Sequence, residues 1–559
     1  MNHGRTYESG MDLEMDSVMD LGMDLEMDSV MDSGTESMAV VWSATQTGKI
    51  ATPLRIECVQ ARGFSGITML GSAGRVCEDG KERARTALER LGWTAPARKI
   101  LISVSPAEVK IDSSHLDLAL CVGLAAVVDQ TAWSITCEDW MFAAEVGLNG
   151  ELRPVSGVVA WATAAMTLGL KGIVVAKENL MELCCLRNVT DAQEKGFLFH
   201  GFHTVSEVLA WLVSGTGIAS DSPEQIDLRL DEPNFDDMDL SPLMELVATV
   251  AAAGMHSLLM KGSPGTGKSM FARRLGSLLP SMNSDDHLKA LCIHSTISSQ
   301  VSAAIISGVP PYRAPHHFAS LAAMVGTATA PGEMSLASGG VLFLDELPEF
   351  RRDVLEGLRE PIETGEVAVS RAGASNIWNA KVLLVAAANN CPCGWAASKR
   401  RRCHCPPSRL LAYRNRLSGA FQDRIDMHIN MEEPNNQIGS VLSQKLGDRH
   451  KTLKMKATVT QARSRAAKRE AEIGVTLNRD IPSLHILSTF GLEESESLKM
   501  IQRVIPDHAS ARSLIRCLRV ARTIADVENR DAVTAGDIEQ AWNWQAWSAA
   551  KHRGEFLPL

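Results

Sequence analysis

A chain of 559 residues, 45% of them apolar, has material for roughly two to four domains with their own cores, which excludes a small scaffold stapled by disulfides. No apolar run reaches the roughly 20 residues of a membrane span, and the acidic N-terminus lacks the basic and apolar parts of a signal peptide. The expectation is a cytoplasmic protein with no membrane partner and with reduced or metal-bound cysteines. The net charge of −10 does not exclude a nucleic-acid partner, because residues 1–37 alone carry −9 and the rest is almost neutral.

Residues 11–22 (MDLEMDSVMDLG) recur at 23–34 (MDLEMDSVMDSG), so 1–37 reads as an acidic disordered tail, and Met38 offers an alternative start. The stretch 38–215 has an α/β pattern. Strands are expected at 39–44, 54–59 and 100–104, and helices over 79–91, 114–128 and 156–168. Residues 216–240 are polar, acidic and broken by Pro, which marks a linker. An ATPase-like α/β block follows over 241–437. A basic helical connector spans 438–479, and 480–559 reads as all-helical, with amphipathic stretches at 510–528 and 534–547.

GSPGTGKS, residues Gly262, Ser263, Pro264, Gly265, Thr266, Gly267, Lys268 and Ser269, has the spacing G-x-x-x-x-G-K-[ST]. An expected strand (256–261) precedes it and an expected helix (269–279) follows. In that context the backbone N–H groups turn inward around phosphate, Lys268 meets the β- and γ-phosphates of ATP, and the Ser269 hydroxyl ligates Mg²⁺. The apolar run VLFLDELPEF ends in Asp345 and Glu346. A buried parallel strand delivers both carboxylates at its ligand-binding edge, Asp345 toward Mg²⁺ and Glu346 toward the attacking water. The expected strand 382–388 ends at Asn389, an amide that either positions the lytic water or caps the strand.

Residues 391–405, CPCGWAASKRRRCHC, hold Cys391, Cys393, Cys403 and Cys405 as two C-x-C pairs. Four thiolates on two short turns suit one tetrahedral Zn²⁺, with His404 as a substitute ligand. Free buried thiols are the alternative. Lys399, Arg400, Arg401 and Arg402 lie between the pairs, and read either as a DNA phosphate contact or as a solvated loop tip. Arg371 stands at the tip of the hairpin-like segment 366–378, a second DNA-contact candidate. His316 and His317 in 310–320 read as phosphate contacts or packing residues, with packing favoured.

These residues resemble an AAA+ ATPase of the magnesium-chelatase-like clade, and more closely the ComM/YifB family. The likeness rests on 312–372 (YRAPHHFASLAAMVGTATAPGEMSLASGGVLFLDELPEF…VSRA), AANNCPCG, RLSGAFQDRID, SARSLIRCLRVARTIADVE and, near the start, AVVWSATQTG and LNGELRPVSGV. It covers roughly 38–545. It implies a fold class of α/β type: a Lon/S5-like N-terminal domain, an AAA+ P-loop domain with clade insertions, and a C-terminal helical lid. It further implies Asn389 as sensor 1, Arg424 as an arginine finger and Arg512 as sensor 2. A homo-hexameric DNA motor for branch migration in natural transformation follows from the same resemblance. On the residues alone, Arg424 reads as a salt-bridge partner of Asp423 or Asp426. Departures from the family pattern stand at Asn390, where relatives carry Pro, and at SGAFQDRID, where they carry SGPLLDRID. Lon-type proteases use a Ser–Lys dyad. Here the corresponding positions carry His115 and Val159, with Ser113, Ser114 and Asp117 nearby, so the first domain is expected to be non-catalytic. The rival expectations are a chelatase-type motor that remodels a protein and an ATP-dependent protease.

Overall fold

The computed structural model describes residues 37–552 apart from 49, 71–74, 108–110, 112–113, 129–132, 217–232, 372–373, 397, 399–400, 434–449 and 507–508. The acidic repeat, most of the expected linker and the first part of the expected connector lie outside the described residues, as do Ser113, Lys399 and Arg400.

The N-terminal part is built on a seven-stranded mixed sheet. Its strands are β1 (Met38–Thr47), β2 (Ile50–Ala61), β3 (Gly66–Leu70), β4 (Lys99–Ser105), β5 (Trp140–Ala143), β8 (Gly172–Ala176) and β9 (Leu198–Phe202). A small antiparallel pair, β6 (Glu145–Val146) and β7 (Leu152–Arg153), stands apart. The order in the large sheet is β3-β4-β2-β1-β5-β8-β9. β1 and β2 form a long hairpin in register from Met38 opposite Val59 to Thr47 opposite Ile50. Period-two alternation gives this sheet two apolar faces. Trp140, Phe142, Val174 and Ala176 enter one core, with the helices Arg75–Arg90 and Asp117–Val128. Met141, Ala143, Ile173 and Val175 enter the other, with the helix Val158–Thr167. The first helix starts at Arg75 rather than 79, and the second opens with a tight turn at Ser114–Leu116.

The ATPase block carries a five-stranded, all-parallel sheet. It comprises β10 (Leu258–Lys261), β11 (Tyr312–Arg313), β12 (Val341–Leu344), β15 (Leu383–Ala388) and β16 (Met427–Asn430), in the order β11-β12-β15-β10-β16. Every residue of β10, β12 and β15 is buried, which explains their unbroken apolar runs. The antiparallel hairpin β13 (Glu366–Arg371) and β14 (Ala374–Asn379) lies between β12 and β15 in the chain. Trp378 roots it, fully buried, with its indole N–H donating to the Thr327 carbonyl at 2.8 Å.

The mostly apolar residues 246–260 fall in the helix Pro242–Gly254 and the start of β10. Ser241 caps that helix by accepting from the Met244 N–H at 3.3 Å. The helix Lys451–Lys468 buries Met455, Val459 and Ala462 in the same core as Val247, Val250 and Leu258, so this basic segment packs on the block. The helices Glu494–Val504, Ala511–Val527 and Ala535–His552 complete the C-terminal part. Among the described residues no helix is long and apolar enough to cross a membrane.

The two cores touch. Ala290 and Leu291 of the helix Ser284–Ile297, with Val301 and Ile305, enter the N-terminal core. The Gly157 N–H donates to the Ser295 carbonyl at 2.8 Å, and Gln46 Nε2 donates to Thr296 Oγ1 at 2.9 Å.

Candidate ATP site

β10 ends at Lys261, the chain turns through Gly262–Gly267, and the helix Lys268–Leu275 begins. Gly267 caps that helix at φ 88°, a left-handed conformation that glycine adopts without steric cost. The helix then tightens over Gly276–Leu278, so the expected 269–279 is an α-helix followed by a 3₁₀ turn. Residues 264–270, Asp345, Glu346, Ala387, Ala388 and Asn389 line a cavity of about 380 Å³. β15 lies between β10 and β12, so the carboxyl ends of three parallel strands converge on the loop.

Lys268 Nζ donates to the carbonyls of Gly262 (2.8 Å) and Ser263 (2.9 Å). Burial lowers its pKa, against the opposing charge of Asp345. The ammonium is held by dipoles rather than by a carboxylate bond, which leaves its charge available to phosphate oxygens. Ser269 Oγ donates to Asp345 Oδ2 at 2.7 Å, so the two oxygens expected around Mg²⁺ are already adjacent. A hard cation takes such donors, and the set fits Mg²⁺ together with a nucleotide phosphate.

Glu346 sits at φ 50°, left-handed for a non-glycine residue, and its N–H donates to Asp345 Oδ1 at 2.9 Å. This backbone turn separates the two neighbouring carboxylates. His317 Nδ1 lies 3.4 Å from Glu346 Oε2. His317 also packs at a tilt against Phe318, with centroids 4.4 Å apart. The packing role expected of it is therefore joined to a contact with the candidate base, which nothing in the linear pattern signals.

Arg424 and Arg512 do not line the cavity. Both meet Glu363, Arg424 Nη2 at 3.2 Å and Arg512 Nη2 at 3.0 Å. The expected pairing of Arg424 with Asp423 or Asp426 is replaced by this one. Asp426 instead accepts from Ser257 N–H at 2.9 Å and from its hydroxyl at 3.0 Å. Glu363 escapes a reading of the sequence because an exposed Glu in a helix has no motif.

The four cysteines converge. Cys391 Sγ lies 3.3 Å from Cys393 Sγ and 3.7 Å from Cys403 Sγ, and the four sulfurs all fall within 4.8 Å of one another. His404 is not part of that group. Arg371 pairs with Ala374 at the end of the hairpin, though its side chain lies outside the description. Arg401 places its guanidinium 4.7 Å from the Trp395 ring centroid, and Arg402 is exposed.

In the N-terminal part His115 is buried against Trp161, centroids 4.7 Å apart, and burial pushes its pKa down to about 4. Val159 is fully buried on the helix beside it. Ser114 Oγ donates to Glu145, and Asp117 forms a two-pronged pair with Arg83 at 2.7 and 3.0 Å.

A phosphate loop on a five-stranded parallel sheet, with Mg²⁺ oxygens and a candidate base at the next strand ends, describes an AAA+ ATPase that uses ATP and Mg²⁺. Residues 239–438 match the family magnesium chelatase, subunit ChlI. Residues 56–179 match subunit ChlI of Mg-chelatase, and 449–545 match the magnesium chelatase subunit ChlI C-terminal family. YifB of Escherichia coli (strain K12) is 33% identical over 512 residues, covering 91% of this chain and 97% of that protein. Competence protein ComM of Haemophilus influenzae is 33% identical over 522 residues, covering 91% and 98%. The Lon protease of Haemophilus influenzae is 24% identical over 165 residues, covering 28% of this chain and 20% of that protease. The chain belongs to the ComM/YifB family of magnesium-chelatase-like ATPases.

Proposed function

We propose that this protein is a cytoplasmic, ring-forming DNA motor: a Mg²⁺/ATP-driven homo-hexameric helicase that moves branch points during recombination in natural transformation. The observation that carries the ring is the placement of Arg424 and Arg512 on Glu363, outside the cavity formed by Lys268, Asp345 and Glu346. Phosphoryl transfer spreads charge over the γ-oxygens, which guanidinium groups stabilise. Arginines that do not line their own chain's cavity serve this purpose when a neighbouring subunit brings its cavity to them. Asn389, at the end of β15, positions the lytic water as sensor 1.

The DNA partner is supported by the likeness to a competence protein and by the basic loop and hairpin candidates. Arg371 and the 399–402 run are its proposed contacts. We read the four cysteines as ligands of a structural Zn²⁺. The N-terminal domain (38–215) is read as non-catalytic, because buried His115 and Val159 occupy the dyad positions.

The chelatase-type alternative, a motor that remodels a protein, is favoured by the chelatase family matches across all three parts of the chain. ATP hydrolysis should be measured without DNA, with single strands and with a branched substrate, alongside Lys268→Ala and sizing in solution. Stimulation by branched DNA in a hexamer-sized species supports the DNA motor. Hydrolysis indifferent to every DNA form replaces it with the protein-remodelling reading.

A further inference from the structure

The four-cysteine loop leaves β15 just past Asn389 and returns to the helix Pro407–Asn415. Tetrahedral Zn²⁺ with Zn–S bonds of about 2.3 Å places its sulfurs about 3.8 Å apart. The separations of 3.3, 3.6 and 3.7 Å among Cys391, Cys393 and Cys403 approach that spacing. They are far longer than a disulfide bond, and all four thiols are free. Two backbone N–H groups donate to sulfur, Ala396 to Cys391 at 3.3 Å and Cys405 to Cys403 at 3.4 Å. Such donors stabilise thiolate charge and fix the sulfur lone pairs.

Within the first turn of this loop is Gly394, at φ 86°. A Cβ there would meet Pro264 Cγ at 2.5 Å and Cδ at 2.6 Å. The cysteine loop therefore rests its bare backbone on the phosphate loop, at the one proline among its variable positions. Gly394 is itself tied into the clip, its N–H donating to the Cys391 carbonyl at 2.9 Å.

We propose that Zn²⁺ bound by Cys391, Cys393, Cys403 and Cys405 is a strut for the nucleotide site, holding the phosphate loop in its binding shape through the Gly394–Pro264 contact. The metal takes no part in hydrolysis. It closes the loop between the end of β15 and the following helix, and so limits how far the backbone at Gly394 can withdraw from Pro264. Without it, the loop gains conformational freedom that must be lost again when ATP binds, and affinity falls. This inference rests on the reading of Gly262–Ser269 as the ATP site, and the readouts below separate the two.

The full chain would be purified under reducing conditions and its zinc released and counted colorimetrically. Co²⁺ would then be exchanged in, and binding of a fluorescent ATP analogue followed before stripping, after stripping and after Zn²⁺ is returned. Far-ultraviolet circular dichroism would confirm that the stripped chain remains folded. The expected result is about one Zn²⁺ per chain, a thiolate-to-Co²⁺ charge-transfer band, and a roughly tenfold, zinc-reversible loss of nucleotide affinity. Gly394→Ala should keep the zinc and weaken the nucleotide, whereas Lys268→Ala should keep the zinc and lose the nucleotide. Absence of both zinc and the cobalt band overturns the metal site. Zinc present, with nucleotide affinity unchanged on stripping and in Gly394→Ala, overturns the strut. A zinc-loaded wild type that binds no ATP analogue overturns the ATP-site reading instead.

Discussion

Arg424 and Arg512 lie far apart in the sequence, one in the ATPase block and one in the C-terminal helical part, yet both reach the carboxylate of Glu363, at 3.2 and 3.0 Å. Glu363 keeps 37% of its side chain exposed, so the pair is a positioning device rather than a source of much stability. Arg424 is further fixed by donating to the Arg359 carbonyl at 3.1 Å and the Ala420 carbonyl at 2.7 Å. The shared carboxylate brings the two guanidinium groups to one patch, where Arg512 is half exposed and Arg424 is largely covered.

If that patch completes a neighbour's site, Arg424→Ala should bind ATP and hydrolyse it about 10³-fold more slowly. Lys268→Ala should fail to bind ATP. A mixture of the two inactive proteins should regain part of the activity, since an intact cavity then meets an intact arginine from the other chain. A mixture as inactive as its components places Arg424 in its own chain's chemistry. Glu363→Gln should lower kcat with little change in ATP affinity.

Glu346→Gln should retain Mg²⁺–ATP binding and lose about 10²-fold or more in turnover, as expected for removal of a general base. His317→Ala removes the neighbour at 3.4 Å and should lower kcat several-fold, with nucleotide affinity unchanged. Equal losses in kcat and affinity would show that His317 shapes the cavity rather than the base.

Glu182 lies where the N-terminal domain meets the ATPase block. Its carboxylate accepts from Asn179 Nδ2 at 2.7 Å, and the same amide donates to the Ser299 carbonyl at 3.0 Å. Burial pushes its pKa up to about 8, so the folded chain holds this proton where the unfolded chain has released it. The stabilising contribution is fully present below the ordinary carboxylate range and is lost as pH rises through about 8. Within that window each pH unit is worth about 1.4 kcal/mol. Thermal unfolding should show Tm of the wild type falling more steeply between about pH 4.5 and pH 8 than that of Glu182→Gln, with the difference in slope gone above that range. Parallel slopes would show that Glu182 is ionised in the fold.

Asp526 is buried and binds Arg469 at 2.6 Å, Arg522 at 2.9 Å and Asn478 Nδ2 at 2.7 Å. Asp526→Ala leaves two buried or half-buried guanidinium groups without their carboxylate. A loss of about 3–5 kcal/mol is expected in denaturant unfolding. A loss under about 1 kcal/mol would mean that water replaces the carboxylate.

The elements that carry the ATP site were legible because each is specified locally. The phosphate loop is a contiguous run whose glycines and lysine have one geometric use, and β12 and β15 announce themselves by unbroken apolar residues ending in Asp345, Glu346 and Asn389. The C-x-C pairs were visible as a cluster, but the linear spacing left metal and free thiols equally open, since it says nothing of sulfur–sulfur distances.

The sequence by itself determined the P-loop chemistry, the parallel sheet that carries it, the helical C-terminal part and the family. Tertiary structure decided which side chains stand beside those motifs: His317 on Glu346, Glu363 between Arg424 and Arg512, and Gly394 against Pro264. Motifs are readable because backbone geometry and hydrophobic periodicity act over a few residues. The other contacts arise when separate elements pack into one core, and their partners are chosen by the relative placement of whole strands and helices, which no local pattern encodes.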